Sequence, residues 1–186
     1  INFKSSNMFT QQDLMLILKI RNEKKVRINM FNNHEINYKE HIHWFNNIKG
    51  SDLKKFYIIE FKKKIRGGLS LINIDKDNLS AEWAFYISQE ENHTGLGAAI
   101  EYKAINYFFE TYNLSTLNCF VMNHNPKVIK LHQRFGFKKI DLKKCDNINN
   151  FKTKSDLSQL LSLKKKIWYE FKHKFDNQFL KSHENK

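Results

Sequence analysis

Two short stretches and one acid hold the residue types that could do chemistry. The first is NHTGLGA, Asn92 to Ala98, where Gly95 and Gly97 separate a β-rich run from a run with helical spacing. A strand that passes through a glycine turn into a helix offers unpaired backbone N–H groups at the positive end of the helix dipole, and both suit a phosphate. Glycine matters because a Cβ would keep the ligand off the backbone. The other reading is a plain loop leading into a helix. A dinucleotide turn would need Gly or Ala where Ile100 stands, with an acid near residue 117 for the ribose, and a P-loop would need Gly-Lys-Ser/Thr; neither pattern is present.

The second stretch is NPKVIKLHQRFGF, Asn125 to Phe137. Asn125 suits a helix cap, Pro126 the first turn, and Gly136-Phe137 a helix end followed by a strand. This helix carries His132, and an imidazole, titrating at about 6.5, can give a proton to a leaving group. Val128, His132 and Phe135 share one helical face, so His132 also reads as a core histidine with a satisfied hydrogen bond. The acid is Glu82. Buried beside Trp83 and Phe85, its carboxyl would rise in pKa; exposed, it would be a plain strand glutamate.

Nearer the start stand Arg21 and His41. The Arg21 guanidinium suits a diphosphate or a carbonyl, and equally the C-terminus of a helix. An imidazole such as His41 can donate to a phosphate oxygen. His41 and His43 stand two apart, so on a helix they point to different sides and no metal site is expected. Cys119 and Cys145 lack C-x-x-C spacing and ligand flanks, which argues for a reducing, cytoplasmic setting.

Positioning these residues takes an alternation of elements. Thr10 with Asp13, and Asn37 with Glu40, are spaced as capping boxes for two helices. The period then shortens to three strands, KKFYIIEF, IRGGLSLINI and SAEWAFYIS, followed by a helix through Ile100, Ala104, Tyr107 and Phe108. The strand STLNCFVM, a helix from Pro126 to Phe135 and a strand from Phe137 follow, so the order is β-α-α-β-β-β-α-β-α-β-β. The helix between strands 80–87 and 115–122 predicts that the two run parallel.

At 186 residues, 41% of them hydrophobic, the chain predicts one domain over residues 1–175 and a polar, frayed tail over 176–186. No membrane span or signal peptide is visible. The net charge of +13 is spread among separate clusters, Lys62–Lys64 and Lys164–Lys166, and scattered lysines, which reads as a solvated surface. A basic nucleic-acid-binding module is the reading from another class. No recognised signature supports it, and the aromatics sit in core runs rather than between exposed basic residues.

The glycine turn resembles the Q/R-x-x-G-x-G/A turn of the GNAT superfamily of N-acetyltransferases, with Asn92 in place of Gln or Arg. The second stretch resembles that family's N-x-x-A-x-x-x-Y-x-x-x-G-F, with His132 in place of Tyr, and AEWAFYI resembles its fourth strand. The likeness covers residues 10 to about 142. It implies an α/β (α+β) single-domain GNAT fold, a mixed central sheet splayed between its fourth and fifth strands and flanked by helices, and acetyl-CoA as cofactor. By that likeness Asn92, His93, Thr94, Gly95, Leu96, Gly97 and Ala98 meet the pyrophosphate, while Phe85, Tyr86 and Ile87 pair with the pantetheine arm. Asn125 and Lys127 also meet the cofactor, His132 protonates the departing thiolate, and Glu82 deprotonates the amine.

KIRNEKKVRINM and NYKEHIHWF resemble the enzymes that acetylate the 4-amino group of a UDP-linked amino sugar in pseudaminic acid biosynthesis, with one extra residue between Met30 and His41. That implies a small-molecule nucleotide-sugar substrate met by Arg21, Asn22, Met30 and His41, with no membrane or nucleic-acid partner and with a homodimer among the allowed assemblies. Relatives that acetylate protein N-termini or ribosomal proteins share a similar first third, and a protein or peptide acceptor is the alternative.

Overall fold

The structure, a computed structural model, describes residues 1–91, 95–141 and 157–179. The chain forms two compact units, Ile1–Asp75 with Glu82–Thr94, and Lys76–Ala81 with Gly95–Lys186.

The first unit holds β1 (Asn2–Ser5), α1 (Gln11–Asn22), α2 (Lys24–Arg27), α3 (Tyr38–Ile48), β2 (Lys55–Phe61), β3 (Lys64–Asp75) and most of β4 (Ser80–Ile87). Both expected capping boxes form: Thr10 with Asp13 opens α1, and Asn37 with Glu40 opens α3. Lys4 sits 2.8 Å from Asp13; burial opposes the charge, but the bonds from Lys4 and Thr10 hold the Asp13 carboxyl below its usual range.

The strands here follow the order β1-β2-β3-β4, with β1 and β2, and β2 and β3, antiparallel. Lys62 and Lys63 make the β2–β3 turn at φ 50° and 60°, so part of a basic cluster in the sequence is a hairpin tip whose twist matches its strands. Phe56 to Ile59 are all buried, which accounts for a strand with no polar alternation. Ile17, Ile48, Phe56 and Ile58 form the core cluster, with Trp44 and Tyr86 packed on it. A Cβ on Gly67 would lie 1.9 Å from the Tyr86 carbonyl oxygen, so only glycine lets β3 approach β4 this closely.

The second unit holds the start of β4, α4 (Leu96–Thr111), β5 (Thr116–Met122), α5 (Pro126–Arg134), β6 (Lys138–Lys139), β7 (Ser158–Lys164), α6 (Lys165–Phe171) and α7 (His173–Phe179). The Leu79 carbonyl accepts from the N–H groups of Ser115 and Thr116, so β4 and β5 leave the same edge together and run parallel, as expected. The strand order is β4-β5-β7-β6, with β7 antiparallel to both of its neighbours. The result is a mixed sheet with flanking helices.

Four features differ from the sequence expectation. The strand expected from Phe137 pairs over only two residues, because β7 takes the place beside β5. The helices α6 and α7 pack Trp168 and Phe175 against Phe135. Residues 176–179 are helical rather than frayed, since Phe179 stacks on Tyr102 and Asp176 accepts from the Tyr102 hydroxyl. Asn125 occupies the cap position of α5, but its side chain makes no capping bond.

Candidate active site

In the second unit the glycine turn ends at Gly95, whose φ of 78° is the left-handed conformation that favours glycine. A Cβ there would meet nothing within 4 Å, so backbone conformation and not crowding explains the residue. No side chain caps α4, and its first internal bond runs from the Ala99 N–H to the Gly95 carbonyl. Gly97 and Ala98 lie ahead of that bond, where a helix has no partner of its own for its N–H groups. This open start of a 16-residue helix fits a pyrophosphate. Asn92, His93 and Thr94 lie outside the described residues. Lys127 is exposed on the first turn of α5.

His132 is 4% exposed, and its Nδ1 lies 2.7 Å from Oε1 of Glu101, itself fully buried on α4. Cys119 on β5, 1% exposed, is the ring's other bonding partner. Burial works against charge on the ring, but Cys119 and Glu101 hold its pKa well above the usual value for imidazole. The geometry is that of a buried ion pair, with Oε2 of Glu101 lacking a hydrogen bond among the described residues.

In the first unit Arg21 donates through Nη2 to the Asn32 carbonyl at 2.6 Å, while its Nη1 is buried without a bond among the described residues. Burial lowers its pKa; Tyr86 opposes this and the Arg27 charge adds to it, yet a guanidinium stays charged. Arg27 donates to the Asn33 carbonyl, and its Nε is likewise buried and unbonded. His41 is 3% exposed and stacks on Trp44, and its Nε2 has no hydrogen-bond partner among the described residues. Burial and the nearby Arg21 keep its pKa below the usual imidazole value. Arg21 thus interacts with both Arg27 and His41, and among the described residues no carboxylate is paired to any of the three.

The remaining expected residues are placed as follows. Asn22 bonds both ways with the Ile36 backbone, at 2.8 and 2.9 Å, and so fixes the loop after α2. Met30 is half-buried in the turn closed by its N–H to the Arg27 carbonyl. Phe85, Tyr86 and Ile87 are half-buried at the end of β4, and burial pushes the Tyr86 hydroxyl far up in pKa. Glu82 is half-buried and accepts from Asn73 at 3.1 Å; strand alternation turns it away from the face of buried Trp83. An open cleft of about 570 Å³ lies over α1, lined by Lys19, Asn22, Glu23, Glu35 and Tyr38 among others.

Sequence reasoning missed Glu101, Arg27, Glu23 and Arg66. Glu101 left a signal, being a lone acid within the apolar run AAIEYKAINYFF. Among the described residues no cluster of three or more His, Cys, Asp or Glu is placed to hold a metal, and no helix is long and apolar enough to cross a membrane.

Residues 7–156 match the family described as "Acetyltransferase (GNAT) domain". The chain is 27% identical over 137 residues to the acetyltransferase PseH of Campylobacter jejuni, spanning 74% of this chain and 84% of that protein. It is 28% identical over 100 residues to the spermidine N(1)-acetyltransferase of Vibrio cholerae, spanning 54% of each. Among solved structures, the C. jejuni PseH complex with acetyl coenzyme A superposes with TM-score 0.64 at 23% identity over 88% of this chain and 98% of that one. The V. cholerae spermidine N-acetyltransferase with CoA and spermine gives 0.75 at 17% identity over 90% and 97%. These two structures share the fold with this chain.

Proposed function

The chain belongs to the GNAT acetyltransferase family, and on that premise we propose that it moves the acetyl group of acetyl-CoA to the 4-amino group of a UDP-linked amino sugar. One observation carries the acceptor: Arg21 and Arg27 are cations that influence one another, and neither makes an ion pair among the described residues. Both are half-buried, and a partly desolvated charge without a counter-charge is unfavourable; a substrate diphosphate supplies two. A polyamine or a cationic peptide would add to the repulsion. His41, with Nε2 unbonded among the described residues, would contribute a further polar contact to the same anion.

Acetyl-CoA supplies the activated acyl group when bound. The N–H groups of Gly97 and Ala98, at the positive end of α4, would hold its pyrophosphate, and the backbone of residues 85–87 would meet the pantetheine arm. Glu82 accepts the amine proton through water. His132, kept charged against Glu101, gives a proton to the departing thiolate; an imidazolium is a stronger acid than a phenol, whose pKa is about 10. Against this role stands the reading of His132 and Glu101 as a packing ion pair alone.

A polyamine acceptor is the second reading, favoured by Glu23 and Glu35 in the cleft over α1. Thiol release from acetyl-CoA with UDP-4-amino-sugar, spermidine and peptide acceptors offered side by side separates the readings. Turnover with the sugar nucleotide is expected; turnover with spermidine or peptide alone overturns the sugar reading.

A further inference from the structure

Within the first unit the end of β4 is tied to the end of α1. Glu23, two residues past Arg21, accepts from the Ser88 hydroxyl at 2.8 Å and from the Gln89 N–H at 2.6 Å, and these donors stand two and three residues past Tyr86. Tyr86 and Trp44 both pack on the cluster of Ile17, Ile48, Phe56 and Ile58. Ile17 lies one helical turn before Arg21 on α1, and Trp44 stacks on His41 of α3. The Tyr86 ring is therefore held by the same elements that carry Arg21 and His41.

A glycine makes room for that ring. A Cβ on Gly68 of β3 would lie 2.8 Å from the Tyr86 hydroxyl oxygen and closer still to the Phe56 ring, so a side chain there would displace Tyr86. Arg21 is the charge that acts on the Tyr86 hydroxyl, and Tyr86 acts on Arg21 in return. Burial keeps the hydroxyl protonated, so it stands as a donor. Arg66 on β3 shows the contrast within the unit: its Nη1 lies 2.9 Å from Oε1 of Glu91 and 3.7 Å from Oε2 of Glu90, so its charge is answered internally. Among the described residues Arg21 and Arg27 have no such carboxylate, and Tyr86 adds a neutral donor to their group.

We propose that Tyr86 is a substrate-binding residue whose hydroxyl donates to the same diphosphate of the acceptor that Arg21 answers. This rests on the sugar-nucleotide reading and adds to it a side chain that carries no charge.

UDP titrated calorimetrically into the full chain saturated with coenzyme A tests it, because the cofactor then fills its own pyrophosphate site. Tyr86→Phe removes one oxygen and keeps the packed ring, and it is expected to raise the Kd for UDP about tenfold while its urea midpoint stays close to that of wild type. Tyr86→Phe that binds UDP like wild type overturns the proposal and leaves the acceptor reading in place. A Tyr86→Phe chain that melts well below wild type and also binds UDP weakly makes the hydroxyl a packing group, and that too overturns it. If the wild-type chain itself binds no UDP, the acceptor reading falls and this proposal falls with it.

Discussion

In the second unit the buried imidazole of His132 meets the Glu101 carboxylate at 2.7 Å, while in the first the half-buried guanidiniums of Arg21 and Arg27 meet carbonyl oxygens and no carboxylate among the described residues. The helix starts show the opposite pattern. In the first unit α1 and α3 are closed by capping boxes, whereas in the second neither α4 nor α5 has a side-chain cap. Among the described residues the first unit thus holds side-chain cations with no carboxylate partner, and the second holds two long helices whose starts no side chain caps. A buried charge that pairs internally fixes packing, and one that does not is kept where a ligand can answer it.

The largest expected effect comes from opening the satisfied pair. His132→Ala or Glu101→Ala leaves one charge buried alone and is expected to lower the unfolding free energy by about 3–5 kcal/mol, measured by denaturant titration. The combined His132→Phe/Glu101→Leu variant should recover most of that loss, and a double variant as unstable as either single one breaks the comparison. Because the folded pKa of His132 is raised, its stabilisation is lost as pH rises through the folded value; burial also raises the Glu101 carboxyl, so the pair weakens again as acid protonates it. If His132 also donates the thiol's proton, Glu101→Gln shifts the alkaline limb of kcat to lower pH; a pure packing pair leaves that limb in place.

The unpaired cations should behave in the reverse way. Arg21→Met is expected to weaken UDP binding by about 2 kcal/mol, read by calorimetry, while changing unfolding stability by less than about 1 kcal/mol. A large loss of stability with UDP affinity intact would make Arg21 a structural anchor of the loop at Asn32.

Smaller effects test the helix starts. Gly95→Ala forces a side chain into the left-handed region and is expected to cost about 1–2 kcal/mol of stability, with a matching loss of coenzyme A affinity. Asp13→Asn removes a closed cap and is expected to cost about 1 kcal/mol at neutral pH. Since the folded pKa of Asp13 is depressed, that difference is present above about 3.9 and vanishes as pH falls through the folded value. Urea melts at neutral and acid pH check it.

Local chemistry was the legible part. Thr10 to Asp13 and Asn37 to Glu40 lie three residues apart, so a single turn of helix decides whether the bonds form, and they do. Gly95 was readable for the same reason, because a left-handed φ ahead of a helix is a property of a few residues. Other features depend on partners distant in sequence. Glu101 and His132 are 31 residues apart on different helices, and Glu23 reaches Ser88 across 65. The insertion of β7 beside β5 reduced β6 to two residues, although Trp168, Phe171, Phe175 and Phe179 carry helical spacing in the sequence.

By itself the sequence determined the alternation of elements, the caps, the glycine turn and a family resemblance resting on two motifs, all set by neighbours within a few residues. Only the tertiary structure decided which charges are answered. Whether His132 faces a carboxylate, Arg21 a bare carbonyl or Glu91 a guanidinium depends on strand order and helix packing, and pairing energy is set by distance and burial rather than by position along the chain.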